Sequence, residues 1–93
     1  MAPERAMAVV LSAASNCAVV QLGGREHPGI LIQGDSAKLL FDLATALLSE
    51  VDRDTEAAEI TTEIQEILRS YLHEYERTMT KHHRDLPYTS SLT

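Results

Sequence analysis

The sequence predicts an α+β fold, in which a small antiparallel sheet of two or three strands is followed by two helices, the second of them long. Three observations lead to this prediction. Two short β-branched runs are separated by glycine and proline, which is the pattern of a strand pair. Leucines then recur at helical spacing, and a second helical pattern extends from Asp54 to about His83.

The length and composition predict one globular domain over residues 1–93. The chain is 44% apolar, which is typical of a folded protein, and 93 residues suffice for only one small core. Leu86-Pro87-Tyr88 ends the last helical pattern. At the two ends, residues 1–6 and 89–93 are expected to be flexible.

Residues 16–22 (NCAVVQL) and residues 30–33 (ILIQ) are the two predicted strands. Gly23-Gly24 and Pro28-Gly29 lie between them, and Gly-Gly suits a tight turn with positive φ, so the two runs are expected to pair as an antiparallel hairpin. Residues 7–11 (MAVVL) give either a third strand or, because alanine-rich flanks tolerate it, a helix.

A sharp corner is predicted where the second strand meets the first helix. Gly34 is expected to adopt a positive φ, and the side chain of Asp35 or of Ser36 is expected to accept hydrogen bonds from the first helical turn. The charge of Asp35 also suits the positive end of the helix. We interpret this corner as structural and assign no chemistry to it.

The first predicted helix has a wide apolar face. Phe41 and Ala44 widen this face, so we expect the helix to be buried on more than one side. Lys38 and Asp42 are among the polar residues that occupy the opposite side. The apolar positions at helical spacing are Leu39, Leu40, Leu43, Leu47 and Val51.

The second predicted helix begins after Asp54 or Thr55, either of which can cap it. Acidic residues are concentrated near its start and basic residues lie in its later part, an arrangement that the helix dipole favours. At ~1.5 Å per residue it would be ~45 Å long, which exceeds the diameter of so small a domain. Part of it is therefore expected to project, to pack on a second subunit or to contact a partner. Its apolar series is Ile60, Ile64, Ile67, Leu68, Tyr71, Leu72, Tyr75 and Met79.

The net charge of −6 is concentrated in one segment. Residues 50–66 contain seven acids and one base, whereas the rest of the chain is balanced. Such a surface is a poor match for nucleic acid, and a basic protein is the better candidate partner. Tyr75, Arg25 and His27 are secondary candidates for the contact. The main predicted partner-binding residues are Asp52, Asp54, Glu56, Glu59, Glu63 and Glu66.

No catalytic, metal or cofactor site is predicted, and the expectation is that the protein is not an enzyme. The three glutamates Glu59, Glu63 and Glu66 share a helix face, but no histidine follows any of them at the spacing of a bundle metal site. Cys17 lies inside a strand pattern and is expected to be a small core residue. The glycines match neither of two phosphate-binding patterns, Gly-x-x-x-x-Gly-Lys and Gly-x-Gly-x-x-Gly.

The predicted location is cytoplasmic. Cys17 is the only cysteine, so an intramolecular disulfide is impossible, which favours a reducing compartment. The apolar stretch at residues 7–11 is too short for a signal-peptide core or a membrane span, so no membrane association is expected.

Two family resemblances follow from short motifs. Pro28-Gly29, three residues and then Gln33-Gly34-Asp35-Ser36 resemble the P-G-x-x-x-Q-G-D-[ST] stretch of the HicB antitoxin family, in which it joins the last strand of a small sheet to its helix. Most of the chain is also similar to a group of small uncharacterised bacterial proteins with A-V-V-x-L (residues 18–22), P-G-x-x-I-Q-G-D (residues 28–35) and a terminal L-P-Y (residues 86–88).

The HicB resemblance implies neutralisation of a toxin, often an RNase, by direct binding and occlusion. HicB proteins commonly add a DNA-binding segment, and this sequence shows none. The prediction is therefore an immunity or antitoxin-like protein that binds a toxin domain encoded nearby, without direct nucleic-acid contact. The alternative is a homodimeric scaffold or regulatory subunit that uses the second helix for self-association.

Overall fold

The computed structural model describes residues 7–14 and 17–92 and confirms the α+β prediction. It contains a three-stranded antiparallel sheet followed by two helices. The contacts divide the chain into two compact units, a sheet unit that ends at Gln33 and a helical unit that begins at Gly34. No helix in the described part is long and apolar enough to cross a membrane. The elements are β1 (Ala8–Ala14), β2 (Cys17–Leu22), β3 (Gly29–Leu31), α1 (Gly34–Glu50) and α2 (Glu56–Lys81).

The sheet unit has the strand order β1-β2-β3, with both pairs antiparallel. The third strand, which the sequence left open, is therefore present as β1, and its register shifts between Val10 and Ser12. The Gly-Gly turn is confirmed, because the Arg25 N–H donates to the carbonyl of Leu22 (3.3 Å) and Gly24 has a φ of 83°. The core role predicted for Cys17 is wrong: its side chain is exposed at the start of β2.

The explanation predicted for Gly34 is also wrong, since among the described glycines only Gly24 has a positive φ. Gly34 is the first residue of α1, and a Cβ at this position would overlap the ring of Tyr75. The absent side chain thus permits close packing and is not needed for an unusual backbone angle. The Asp35 carboxylate accepts a hydrogen bond from the Ser36 N–H (2.9 Å).

Helix α1 buries a different side from the one that its leucines predicted. Lys38, expected on the polar side, is buried beside Phe41, whereas four of the predicted core leucines are exposed. The helices meet through small side chains at Ala44 and Ala58, which leave the larger residues on either side of the contact line. The exposed leucines are Leu39, Leu40, Leu43 and Leu47.

Helix α2 is capped at both ends. Thr55 rather than Asp54 is the N-cap, and its Oγ1 accepts a hydrogen bond from the Ala58 N–H (3.2 Å). At the other end, the His82 N–H donates to the carbonyl of Thr78 (3.1 Å). With 26 residues against the 17 of α1, α2 is ~39 Å long at ~1.5 Å per residue.

The core of the helical unit is small and includes a residue near the C-terminus. Phe41, Leu72 and Leu92 form its centre, and Arg69 Nε donates to the carbonyl of Leu92 (2.7 Å). Residues 84–92, the C-terminal segment, thus supply a core contact that the sequence analysis missed. Flexibility at the ends stays a prediction, and residues 1–6 and 93 lie outside the described residues.

Candidate functional site

An apolar groove lies between α1 and α2. Its volume is about 410 Å³, and none of the residues that line it is charged. We call it the interhelical groove. It is lined by Leu40, Leu43, Ala44, Leu47, Thr61, Ile64, Ile67 and Leu68.

The large side chains of the groove are unusually accessible for a small protein. Leu43 is 57% exposed and Ile64 is 49% exposed, and Leu40, Leu47 and Ile67 are exposed to a similar degree. Leu68 is partly buried, because it also packs against the core. Ile60 and Tyr71, both exposed, extend the apolar row along α2. Single exposed apolar residues are ordinary, but a contiguous apolar surface marks a binding site.

The local sequence explains why these side chains are left outside the helix contact. Ala44, Ala58 and Thr61 occupy the buried positions where α1 and α2 approach each other. Gln65, also buried, donates through Nε2 to Thr45 Oγ1 (2.9 Å), so a polar link joins the helices at this line. Because the contact line is built from small and polar residues, the branched side chains lie beside it.

One acidic residue of α2, Glu63, borders the groove. Glu63 is three residues after Ile60 and four before Ile67, and residues at this spacing are neighbours on a helix surface. Glu59 and Glu63 are exposed, and no Lys or Arg of the described residues forms an ion pair with either. Glu66 is different, because it pairs with Arg69 at 2.5 Å.

The remaining acids of the predicted contact surface lie at the turn between the helices and at the start of α2. Asp52, Asp54 and Glu56 are all exposed. They precede Glu59 and Glu63 in the chain. All six predicted acids are exposed, and all lie on the helical unit within residues 52–66.

Two cations of the helical unit lie on the other side of α1, around Phe41. The Lys38 Nζ is 5.8 Å and the Arg69 Cζ is 5.3 Å from the centre of the Phe41 ring, distances typical of cation–π contacts. Lys38 also pairs with Asp42 (2.6 Å) and lies 5.6 Å from the Tyr88 ring. Lys38 thus pairs with Asp42 and Arg69 with Glu66, and neither forms an ion pair with Glu63.

Tyr75 is half-buried and packs against the C-terminal segment. Its ring stacks on that of Tyr88, with 6.4 Å between centroids. The Tyr88 hydroxyl donates to Glu76 (2.8 Å), and burial together with this carboxylate raises the pKa of Tyr88. Tyr71, which is 65% exposed and follows Ile67 by four residues, is the tyrosine beside the groove. Its spacing to Ile64 and Ile67 is the sequence signal that could have singled it out.

Arg25 and His27 belong to the sheet unit. Both are exposed in the loop between β2 and β3, where the Arg25 carbonyl accepts a hydrogen bond from Gln21 Nε2 (2.8 Å). The His27 Nε2 lies 3.9 Å from a Glu26 carboxylate oxygen. Within residues 7–14 and 17–92, no group of three or more His, Cys, Asp or Glu side chains is placed to hold a metal ion.

The fold and the groove define a small α+β protein with an exposed, uncharged surface between two helices. The chain belongs to DUF6959, a family of unknown function whose sequence profile matches residues 3–88. Comparison with curated proteins and with solved structures found no match.

Proposed function

We propose that this protein is an immunity or antitoxin-like protein that binds a toxin domain and blocks it by covering its surface. The observation that carries the proposal is the interhelical groove, an exposed apolar surface with the exposed acid Glu63 beside it. It acts in the cytoplasm, by binding and not by catalysis, and it requires no cofactor.

The two parts of this surface have different roles in binding. Burial of the leucines and isoleucines supplies most of the affinity, since a fully buried side chain of this size contributes about 1.5–3 kcal/mol. The acids speed the encounter with a basic surface and disfavour acidic competitors. Occlusion of the toxin then needs only a long-lived complex.

Self-association is the second candidate function. It is favoured by the exposed row on α2, in which Ile60, Ile64, Ile67 and Tyr71 recur at helical spacing. A second α2 could cover such a row, as in helical dimers. The mass in solution separates the two candidates, because a stable dimer in the absence of any partner supports this one.

The test of the first candidate is co-expression with the product of the neighbouring gene, followed by pull-down and growth rescue. The informative variant is Glu59→Lys with Glu63→Lys, because Glu66 is already paired with Arg69. We expect slower association and weaker rescue, with the fold retained. The matched control is the single change Asp85→Lys, at an exposed acid beyond α2, compared with Glu63→Lys alone.

The association rate of the unmodified protein should also fall as salt is raised from low concentration to ~0.15 M, where screening acts over ~8 Å. If the variant at the border binds and rescues as well as the control, the acids contribute only solubility. If no neighbouring product binds, the inhibitor proposal is wrong and self-association becomes the better explanation.

A further inference from the structure

We infer that the interhelical groove binds an amphipathic helix of the partner, with lysine or arginine flanking its apolar side. This inference rests on the proposed function and specifies the element of the partner that the groove receives. The complex would be a three-helix bundle, with α1 and α2 from this protein and the third helix from the partner.

The shape of the groove selects a helix. The two walls of the groove offer side chains, because the backbone hydrogen bonds of α1 and α2 are made within each helix. An added strand needs an open sheet edge, whereas an apolar groove between helices receives another helix. Leu40 and Leu47 lie ~10 Å apart along α1, and Ile60 and Tyr71 lie ~16 Å apart along α2, at ~1.5 Å per residue. The contact is therefore two to three helical turns long.

The charges beside the groove favour one sign of charge on the residues that flank the apolar side of the partner helix. Glu63 is exposed beside the groove, and the residues that line the groove are uncharged. Lys38 pairs with Asp42 and Arg69 with Glu66, so neither neutralises Glu63. A helix flanked by cations pairs with this border.

A second copy would bring the same acids to the contact. In a two-fold symmetric contact each chain presents the same surface, and each chain carries a net charge of −6. Like charges placed together oppose association. The charge distribution therefore favours a basic partner over self-association through this groove.

The test uses synthetic peptides of ~18 residues, long enough to form helix, and the purified full-length chain. One peptide has leucine at i, i+3, i+4 and i+7 with lysine flanks, a second has glutamate flanks, and a third is a scrambled form of the first without an apolar side. Calorimetry should show one lysine-flanked peptide bound per chain. The glutamate-flanked peptide should bind about tenfold more weakly or worse, and the scrambled peptide should not saturate.

Two pairs of variants locate the site. Leu43→Gln should weaken binding of the lysine-flanked peptide about tenfold, whereas Leu39→Gln, at an equally exposed leucine of α1 outside the groove (59% exposed), should not. Glu63→Lys should weaken it more than Asp85→Lys, which makes the same charge change at an exposed site beyond α2. Thermal midpoints close to that of the unmodified chain show that each variant is folded.

The inference is overturned if the lysine-flanked peptide does not bind, and also by any of three further results. The first is an equal loss of peptide affinity in the two variants of a pair. The second is binding of the scrambled peptide as tightly as the lysine-flanked peptide. The third is a stable dimer, seen by sedimentation, that Leu43→Gln dissociates and Leu39→Gln does not, because the groove is then occupied by a second copy.

Failure of this inference is distinguishable from failure of the proposed function. If the chain neutralises a toxin but binds none of the peptides, only the basic helix is wrong. If the lysine-flanked peptide binds as described and no neighbouring product is neutralised, only the toxin is wrong.

Discussion

The two sides of the helical unit contrast in how they treat large apolar residues. On the packed side, Phe41 and Leu72 are each 1% exposed, and Leu92 of the C-terminal segment lies with them. On the groove side, leucines and isoleucines of the same two helices are about half exposed. The difference shows that burial depends on what covers a helix face. The C-terminal segment covers one side of the pair formed by α1 and α2, and no described segment covers the groove side.

The sides also differ in charge. On the packed side, Lys38 and Arg69 contact aromatic rings. Lys38 also pairs with Asp42, and Arg69 binds Glu66 and the carbonyl of Leu92. The groove is uncharged and is bordered by Glu63. The cations of the packed side thus have carboxylate partners within the protein. On the groove side, the apolar surface and the charge of Glu63 remain available to another molecule.

The largest expected effect compares one leucine from each side. Leu72→Ala should lower the free energy of unfolding by about 2–5 kcal/mol, because it leaves a cavity in the core. Leu43→Ala should change it by less than ~1 kcal/mol, because most of this side chain is already in water. Urea unfolding followed by circular dichroism measures both, and equal losses would show that the groove side is packed as well.

The second prediction concerns the close contact of Gly34 with Tyr75. Gly34→Ala should destabilise the protein by about 1–3 kcal/mol, because the new methyl group forces the Tyr75 ring away from Tyr88. In a protein that already carries Tyr75→Ala, Gly34→Ala should change the free energy of unfolding little. A double-mutant cycle measures the coupling, and additive effects would contradict the packing explanation of this glycine.

The third prediction concerns the buried cation of the packed side. Asp42→Ala should destabilise the protein by about 1–2 kcal/mol, because Lys38 would remain buried without its carboxylate. Lys38→Met keeps the volume and removes the charge, so its effect should stay within about 1 kcal/mol. Thermal unfolding compares the two, and a larger loss from Lys38→Met would mean that the cation itself holds the rings together.

The smallest expected effect is a pH dependence on the packed side. Burial and the neighbouring Glu76 raise the pKa of Tyr88 above its ordinary value of 10.0. The neutral hydroxyl therefore stabilises the fold fully below pH 10, and this contribution is lost as the pH rises from there towards the pKa of the folded state. The free energy of unfolding should fall above pH ~10. Tyr88→Phe should reduce this fall, and Tyr71→Phe, at an exposed tyrosine, should retain it.

Much of the fold follows from local sequence signals. The β-branched runs, the Gly-Gly turn and the Thr55 cap are each dictated by residues within a few positions of one another. The helices likewise follow from their periodicity. These elements were predictable because the forces that form them act between near neighbours in the chain.

The choice of buried side was not predictable in the same way. The leucines of α1 gave a correct helix and a wrong orientation, because the small residues Ala44 and Ala58 set the contact line. Leu92 joins the core from a polar stretch of sequence, and no periodicity marks it. The six acids were predicted as a contact surface from charge alone, whereas the apolar groove became visible only when α1 and α2 were placed side by side.

The position of Leu92 has a consequence for the order of events during protein synthesis. Helices α1 and α2 emerge from the ribosome before residue 92 does, and each can form as it emerges because its hydrogen bonds are local. Phe41 stays without its full cover until the C-terminal segment has followed. Until residues 84–92 have emerged, a nascent chain therefore exposes both sides of the pair of helices, and only then does the packed side become distinct from the groove.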